Sequence, residues 1–189
     1  MTEMEQDTTK NQVIVLRLGH RPARDKRVST HLLLAARAFG ADSAYYTGVK
    51  DISLEYSITK IVNDWGGSFN VTHSDSWKKI IKSWNGKKVH LSMYGLPIQE
   101  NIDEIRSDPS SKLVIVGGEK VPSEIYSSVD WNIAITSQPH SEVSALAVFL
   151  LMLKGNCILK SGFQNARIKV IPQSKGKKLN LIKKKQQLI

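Results

Sequence analysis

A regular alternation of short, nearly continuous apolar runs with longer amphipathic stretches restricts this chain more than any other feature. The runs are Val13 to Leu18, Ser43 to Tyr46, Ser68 to Thr72, Lys88 to Met93, Leu113 to Val116 and Trp131 to Ile135. Most are rich in β-branched or aromatic residues without polar alternation, as parallel strands covered on both faces are. The intervening stretches predict helices over Val28 to Phe39, Ile52 to Trp65, Ser76 to Trp84, Ile98 to Arg106, Ser123 to Val129 and Glu142 to Lys154. Asp51, Asp75 and Ser141 stand where helix caps are expected, Pro97 and Pro122 suit first turns, and Gly40, Gly66, Gly86 and Gly155 suit helix ends. The reading is an α/β fold, a parallel sheet covered by helices on both faces.

At 189 residues, one compact domain with an appendage is expected. We divide it into a flexible N-terminus (1–12), a body (13–155) and a basic C-terminal extension (156–189), whose end, SKGKKLNLIKKKQQLI, has too few apolar residues for a core and is expected to be flexible unless bound. Charge follows this division. Of 27 basic and 17 acidic residues, ten basic and no acidic ones lie from Lys154 onward, which leaves the rest at 17 and 17. Such a cationic end points to a polyanionic partner. The single Cys157 excludes an internal disulfide, fits a reducing compartment and reads as a buried structural thiol. Met1 to Gln12 is unlike a signal peptide, and the run Ala145 to Leu153 falls short of the ~20 residues that span a bilayer. A cytoplasmic protein without membrane attachment is expected.

Ligands of open α/β sheets bind beyond the carboxyl ends of the strands. After the first strand comes GHRPARDKR, which is neither a G-x-G-x-x-G fingerprint nor a P-loop. It presents Arg21, Arg24, Lys26 and Arg27 around Asp25, with Arg17 just before. Planar guanidinium forks at this density suit bidentate phosphate contacts; the plainer alternative is a solvated loop with one salt bridge. Three later strand ends, Leu91 to Pro97, Gly117 to Pro122 and Thr136 to Glu142, carry glycine or proline and together could enclose a small molecule. His140 is a candidate base or a structural capping-loop residue. The five histidines show no metal-ligand spacing, and no G-x-S-x-G elbow is present.

RLGHRPARDKRVSTHLLLAARAFGA, LSMYG, VGGEKVPSEIY and QPHSEVSALAVFL, in that order, resemble the archaeal tRNA (cytidine-56)-2′-O-methyltransferases of the SPOUT superfamily from about Val13 to Lys178. The resemblance implies a C-terminal trefoil knot, S-adenosyl-L-methionine as cofactor, tRNA as substrate and a homodimer. It carries cofactor contacts onto Leu91, onto Gly117, Gly118, Glu119, Lys120 and Val121, and onto Ile135, Thr136, Ser137, Gln138, Pro139, His140, Ser141 and Glu142. Thr136-Ser137 departs from the Gly-Asn of the family. Arg21 and Arg24 become the leading catalytic candidates, and Arg17, Arg21, Arg24, Lys26 and Arg27 the RNA contacts, with no metal. The expected activity is 2′-O-methylation of cytidine 56. The alternatives are the same chemistry on another RNA, or a non-catalytic RNA-binding scaffold.

Overall fold

The computed structural model describes residues 11–118 and 120–182. The expected flexible N-terminus (all but Asn11 and Gln12), Glu119 and the end of the tail (183–189) lie outside the described residues. Six parallel strands form one sheet: β1 (Val13–His20), β2 (Ser43–Gly48), β3 (Asn70–His73), β4 (Lys87–Pro97), β5 (Lys112–Val116) and β6 (Trp131–Ala134). Their spatial order is β3-β2-β1-β5-β4-β6, so the chain reverses its direction of travel between β1 and β5. The helices are α1 (Pro22–Ala38), α2 (Ile52–Trp65), α3 (Trp77–Ser83), α4 (Ile98–Ser107), α5 (Ser123–Ser127) and α6 (Glu142–Lys154).

Strand alternation decides which face each residue meets. Val13 and Val15 pack with Leu32 and Leu33 of α1, Leu54 of α2, Ile102 of α4 and Leu146 and Phe149 of α6. Ile14, Leu16 and Leu18 turn the other way, toward Ile80 of α3 and Ile125 of α5. Both faces are therefore covered, as the continuous apolar runs require. Each fully buried Leu or Ile contributes roughly 1.5–3 kcal/mol. The near-uniform apolarity of α6 follows from its place between sheet and helices, where Ala145, Leu146, Phe149, Leu150 and Leu153 are all buried.

Several boundaries differ from the sequence reading. Helix α1 begins at Pro22, so Arg24, Lys26 and Arg27 stand on a helix and not in a loop; proline is pre-set for a first turn and its missing N–H is no loss there. Ser76, not Asp75, caps α3 by accepting from the Lys79 amide. Strand β4 continues to Pro97, with Leu91 and Leu96 both registered on Ile133 of β6 and the chain between them displaced. Gly95 makes this return possible, because a Cβ there would lie 2.5 Å from the backbone of Asn132 and Ile133.

The extension is also more ordered than its composition suggests. After a 3-10 turn (Asn156–Lys160), β7 (Ile168–Val170) pairs antiparallel with β8 (Leu179–Leu181). Its root is pinned to the body: Gly67 N–H donates to Gln164 O, Arg167 N–H to Asp64 O, and the Arg37 guanidinium lies 4.0 Å over the Phe163 ring. Cys157 is exposed rather than buried, because the 3-10 turn that carries it rides on the surface. Among the described residues no helix is long and apolar enough to cross a membrane.

Candidate active site

Two cavities open at the carboxyl ends of the strands, where the sheet reverses its order, the place at which open α/β sheets bind ligands. The first, about 430 Å³, lies over β4, β5 and β6. This is within the roughly 300–1,000 Å³ of small-molecule sites. Apolar side chains from Leu91, Val116, Val121, Ile133, Ile135 and Ala145 form its walls, with backbone from Gly117 and Gly118. Gly117 has no room for a side chain, since a Cβ would meet the Val121 side chain at 2.3 Å.

Nine of the sequence-predicted cofactor residues line this cavity: Leu91, Gly117, Gly118, Val121, Ile135, Pro139, His140, Ser141 and Glu142. Lys120 faces the second cavity instead. Thr136, Ser137 and Gln138 line neither and form an exposed turn, in which the Gln138 amide donates to Thr136 Oγ1 and His140 Nδ1 donates to the Gln138 carbonyl. Ser141 caps α6 by accepting from the Val143 amide, which sets Glu142 in the first turn.

Sequence reasoning missed His90 and Tyr126, which line the cavity together with Ser92 of the Leu91 to Pro97 segment. His90 is buried, and burial pushes its imidazole below the ordinary histidine range against a raising contribution from Asn132. Asn132 Nδ2 donates to the Tyr126 carbonyl, so its Oδ1 accepts from His90 Nδ1 at 2.9 Å. Nε2 is thereby left as an acceptor without a partner. The signal was available in β4, where a histidine interrupts an apolar strand.

The second cavity, about 1,120 Å³, adjoins the first and is lined by Arg17, Arg21, Arg24 and Lys120, with Asp25, Asp75 and Glu142 as its carboxylates among the described residues. Arg21 Nε donates to Asp25 Oδ2 at 2.9 Å, and this bond holds the Asp25 carboxyl below the usual range. Arg21 and Arg24 are both largely exposed, with room to engage a ligand. Lys26 and Arg27 are exposed on α1 outside the cavity.

Arg17 differs from the others. It projects from the interior of β1, is 2% exposed, and pairs with Glu142 through Nη2 at 3.1 Å. Burial lowers its pKa, with Glu142 opposing that shift, and its Nε and Nη1 have no partner. Its burial sets it apart from the exposed arginines of the cationic run, although it shares their cavity. Gly118 and Glu142 line both cavities, so the Arg17–Glu142 pair stands at the passage between them.

The segment leading into the arginines is held from behind. His20 is buried, with Nδ1 2.8 Å from Ser29 Oγ and Nε2 3.3 Å from Asp51 Oδ2, while the Val49 amide donates to its carbonyl. Gly48, at φ +101, permits that approach: a Cβ would lie 2.3 Å from the His20 oxygen. Tyr46, beneath this network, donates to Glu55 at 2.7 Å and is pushed up to about 12 by burial.

A model of the family described as tRNA ribose 2′-O-methyltransferase, aTrm56, matches residues 65–180. The tRNA (cytidine(56)-2′-O)-methyltransferase of Thermococcus kodakarensis is 47% identical over 175 residues, 90% of this chain and 97% of that protein. Among solved structures, the A. aeolicus TrmH/SpoU tRNA modifying enzyme superposes with a TM-score of 0.56 at 16% identity, covering 76% of this chain and 74% of that one. The SpoU methyltransferase AviRb from Streptomyces viridochromogenes, in complex with the cofactor AdoMet, gives 0.53 at 13% identity over 76% and 57%. These structures share the fold; the sequence match carries the assignment, and the chain belongs to the aTrm56 family of tRNA ribose 2′-O-methyltransferases.

Proposed function

We propose that this protein transfers a methyl group from S-adenosyl-L-methionine to the ribose 2′-hydroxyl of cytidine 56 in tRNA. The observation that carries the reading is the pair of adjoining cavities, one apolar and glycine-walled, the other cationic, sharing Gly118 and Glu142. The first fits an adenosine-bearing cofactor in volume and lining. Leu91, Val121, Ile133 and Ile135 suit the faces of a base, and the backbone of Gly117 and Gly118 comes close without side chains. S-adenosyl-L-methionine, when bound, supplies an already activated methyl group. What remains for the chain is to align the acceptor and handle its proton.

Arg21 and Arg24 take the phosphates flanking the target nucleotide, and Lys120 adds charge from the opposite wall. A guanidinium is effectively never deprotonated, so these arginines position phosphate and balance charge. Lys26, Arg27 and the ten basic residues from Lys154 onward extend the contact with RNA. Two further features belong to the proposal. A trefoil knot is supported by the return of β4 onto Ile133 and the close approach at Gly95. A homodimer is supported by the exposed apolar side chains of Tyr94, Leu96 and Val148.

The test is incubation with labelled S-adenosylmethionine and an unmodified tRNA transcript, followed by mapping of the modified nucleotide. Label on the ribose of cytidine 56 is expected. Label elsewhere would reassign the target, and none on any RNA would leave only a binding scaffold.

A further inference from the structure

A reaction that removes a hydroxyl proton needs an acceptor, and the arginines are poor ones. The acceptor has to reach the hydroxyl that lies between methyl donor and RNA, so it should border both cavities. Among the described residues Glu142 is the only carboxylate lining the first cavity, and it lines the second as well. Among the described residues, the other carboxylates and the histidines lining the two cavities are committed or misplaced. His20 has both ring nitrogens engaged by Ser29 and Asp51. Asp25 is held by Arg21 and Arg24, and Asp75 projects into solvent beside His73. His140 and His90 line the first cavity only.

We propose that Glu142 is the general base that accepts the ribose 2′-hydroxyl proton, with Arg17 as its positioning residue. The inference rests on the functional reading above and names the acceptor which that reading leaves open. As the bond from the 2′-oxygen to the methyl carbon forms, the carbon–sulfur bond breaks and its electron pair stays on sulfur, giving neutral S-adenosylhomocysteine. The 2′-oxygen, now bearing three bonds, becomes strongly acidic, and its proton passes to a Glu142 carboxylate oxygen and later to water. A carboxylate is basic enough because the transfer accompanies, and does not precede, bond formation.

The pair is built unlike an ordinary structural bridge. A buried pair serving only stability gains most when every donor is met. Here Arg17 leaves Nε and Nη1 unmet, and Glu142 keeps a quarter of its side chain exposed where the cavities join. An uncompensated anion would also repel an RNA phosphate. Arg17, buried in β1 and registered beside Val116 of β5, supplies the compensation from the wall of the second cavity. Gly118 stands beside the pair, since a Cβ there would come into ordinary contact with both partners, 3.7 Å from Arg17 Nη1 and 3.9 Å from Glu142 Oε1.

The experiment compares Glu142→Gln and Glu142→Asp with the wild type in single turnover, with tRNA and S-adenosylmethionine both saturating. Glutamine keeps an oxygen for Arg17 but takes up no proton, and removing a general base slows a reaction about 10²–10⁴-fold. Glu142→Gln should lose at least ~100-fold and the acid limb of its rate–pH profile, with Arg17, Arg21, Arg24, Asp25, Lys120 and His140 left in place around it. Glu142→Asp should recover part of the rate and the limb. Calorimetry should show S-adenosylmethionine binding to Glu142→Gln within a few-fold of wild type. In protein labelled with ¹³C-glutamate, the Glu142 carboxyl resonance should move when unmodified tRNA is added without cofactor. A Glu142→Gln rate near wild type, a deficit explained by lost cofactor affinity, or a resonance indifferent to tRNA would each overturn the assignment. Wild type inactive on tRNA would overturn the functional reading and this assignment with it; an active wild type beside an equally active Glu142→Gln overturns the assignment alone.

Discussion

Asp51 joins fold stability to the arginine segment, and its replacement yields a quantity that can be worked out. The carboxylate caps α2 by accepting from the Ser53 and Leu54 amides, takes a third bond from Ser53 Oγ, and meets His20 Nε2 at 3.3 Å. Led by the Ser53 hydroxyl bond, these hold its pKa down from 3.8 to about 2. At about 1.4 kcal/mol per pH unit, that depression is worth about 2 kcal/mol. The sign follows from the lowered folded value: the contribution is complete above the unfolded pKa of 3.8 and disappears as pH falls toward about 2. Asp51→Asn keeps a capping oxygen but loses the charge, so it should cost about 2 kcal/mol at pH 7. Asp51→Ala should cost about 1 kcal/mol more through the lost cap. Urea unfolding at fixed protein concentration, at pH 7 and in steps down to about pH 3, measures both. The wild-type advantage over Asp51→Asn should shrink on acidification. A difference under about 0.5 kcal/mol at pH 7, within ordinary surface-substitution scatter, or one independent of pH, would refute the argument.

Three further outcomes are expected. Arg21→Ala and Arg24→Ala should each lower turnover about 10- to 100-fold, the effect of losing a hydrogen bond to a charged group, with S-adenosylmethionine affinity by calorimetry unchanged; full activity in both would remove them from the site. Gly95→Ala, with its Cβ 2.5 Å from the β6 backbone, should destabilise by about 1–3 kcal/mol and weaken cofactor binding through Tyr94 and Ile133; an unchanged melting temperature would contradict the close approach. Deleting residues 183–189, which carry Lys183, Lys184 and Lys185, should flatten the salt dependence of tRNA binding by about two to three log units per log unit of salt, read by filter binding. An identical slope would make that segment irrelevant to RNA.

The sheet and helices were legible because continuous apolar runs and capping residues are local signals. Asp51, Ser141 and Gly155 mark their helix ends as their chemistry requires. The start of α1 was misplaced because dense arginines suggested a loop, although Pro22 is itself a helix-opening signal. The loops around the first cavity were legible from glycine and proline punctuation. His90 and Tyr126 were not, since their place depends on how β4, β6 and α5 meet. The burial of Arg17 was not legible for the same reason: its partner Glu142 is distant in sequence, and only the fold joins them. Arg167 to Ile171 reads as strand-like and contains β7, but its pairing with β8 was not legible, because β8 is a short run within a lysine-rich stretch.

The order in which the chain leaves the ribosome meets the order of the sheet at one point. β1, β2 and β3 are made early and lie side by side, but β1 is not flanked on its other edge until β5 is made, and β4 pairs with β6 only afterwards. Walls of the first cavity come from His90 to Tyr94, from Val116 to Gly118 with Val121, and from Ile133, Ile135 and Pro139 to Glu142, and Ala145 of α6 closes it. A nascent chain therefore holds no pocket until nearly the whole domain has emerged, and long-range closure of this kind is slow. Ligand retention becomes a report of completed synthesis, and a chain truncated before α6 should be recognised by quality control as unfolded rather than persist as an inactive competitor for tRNA.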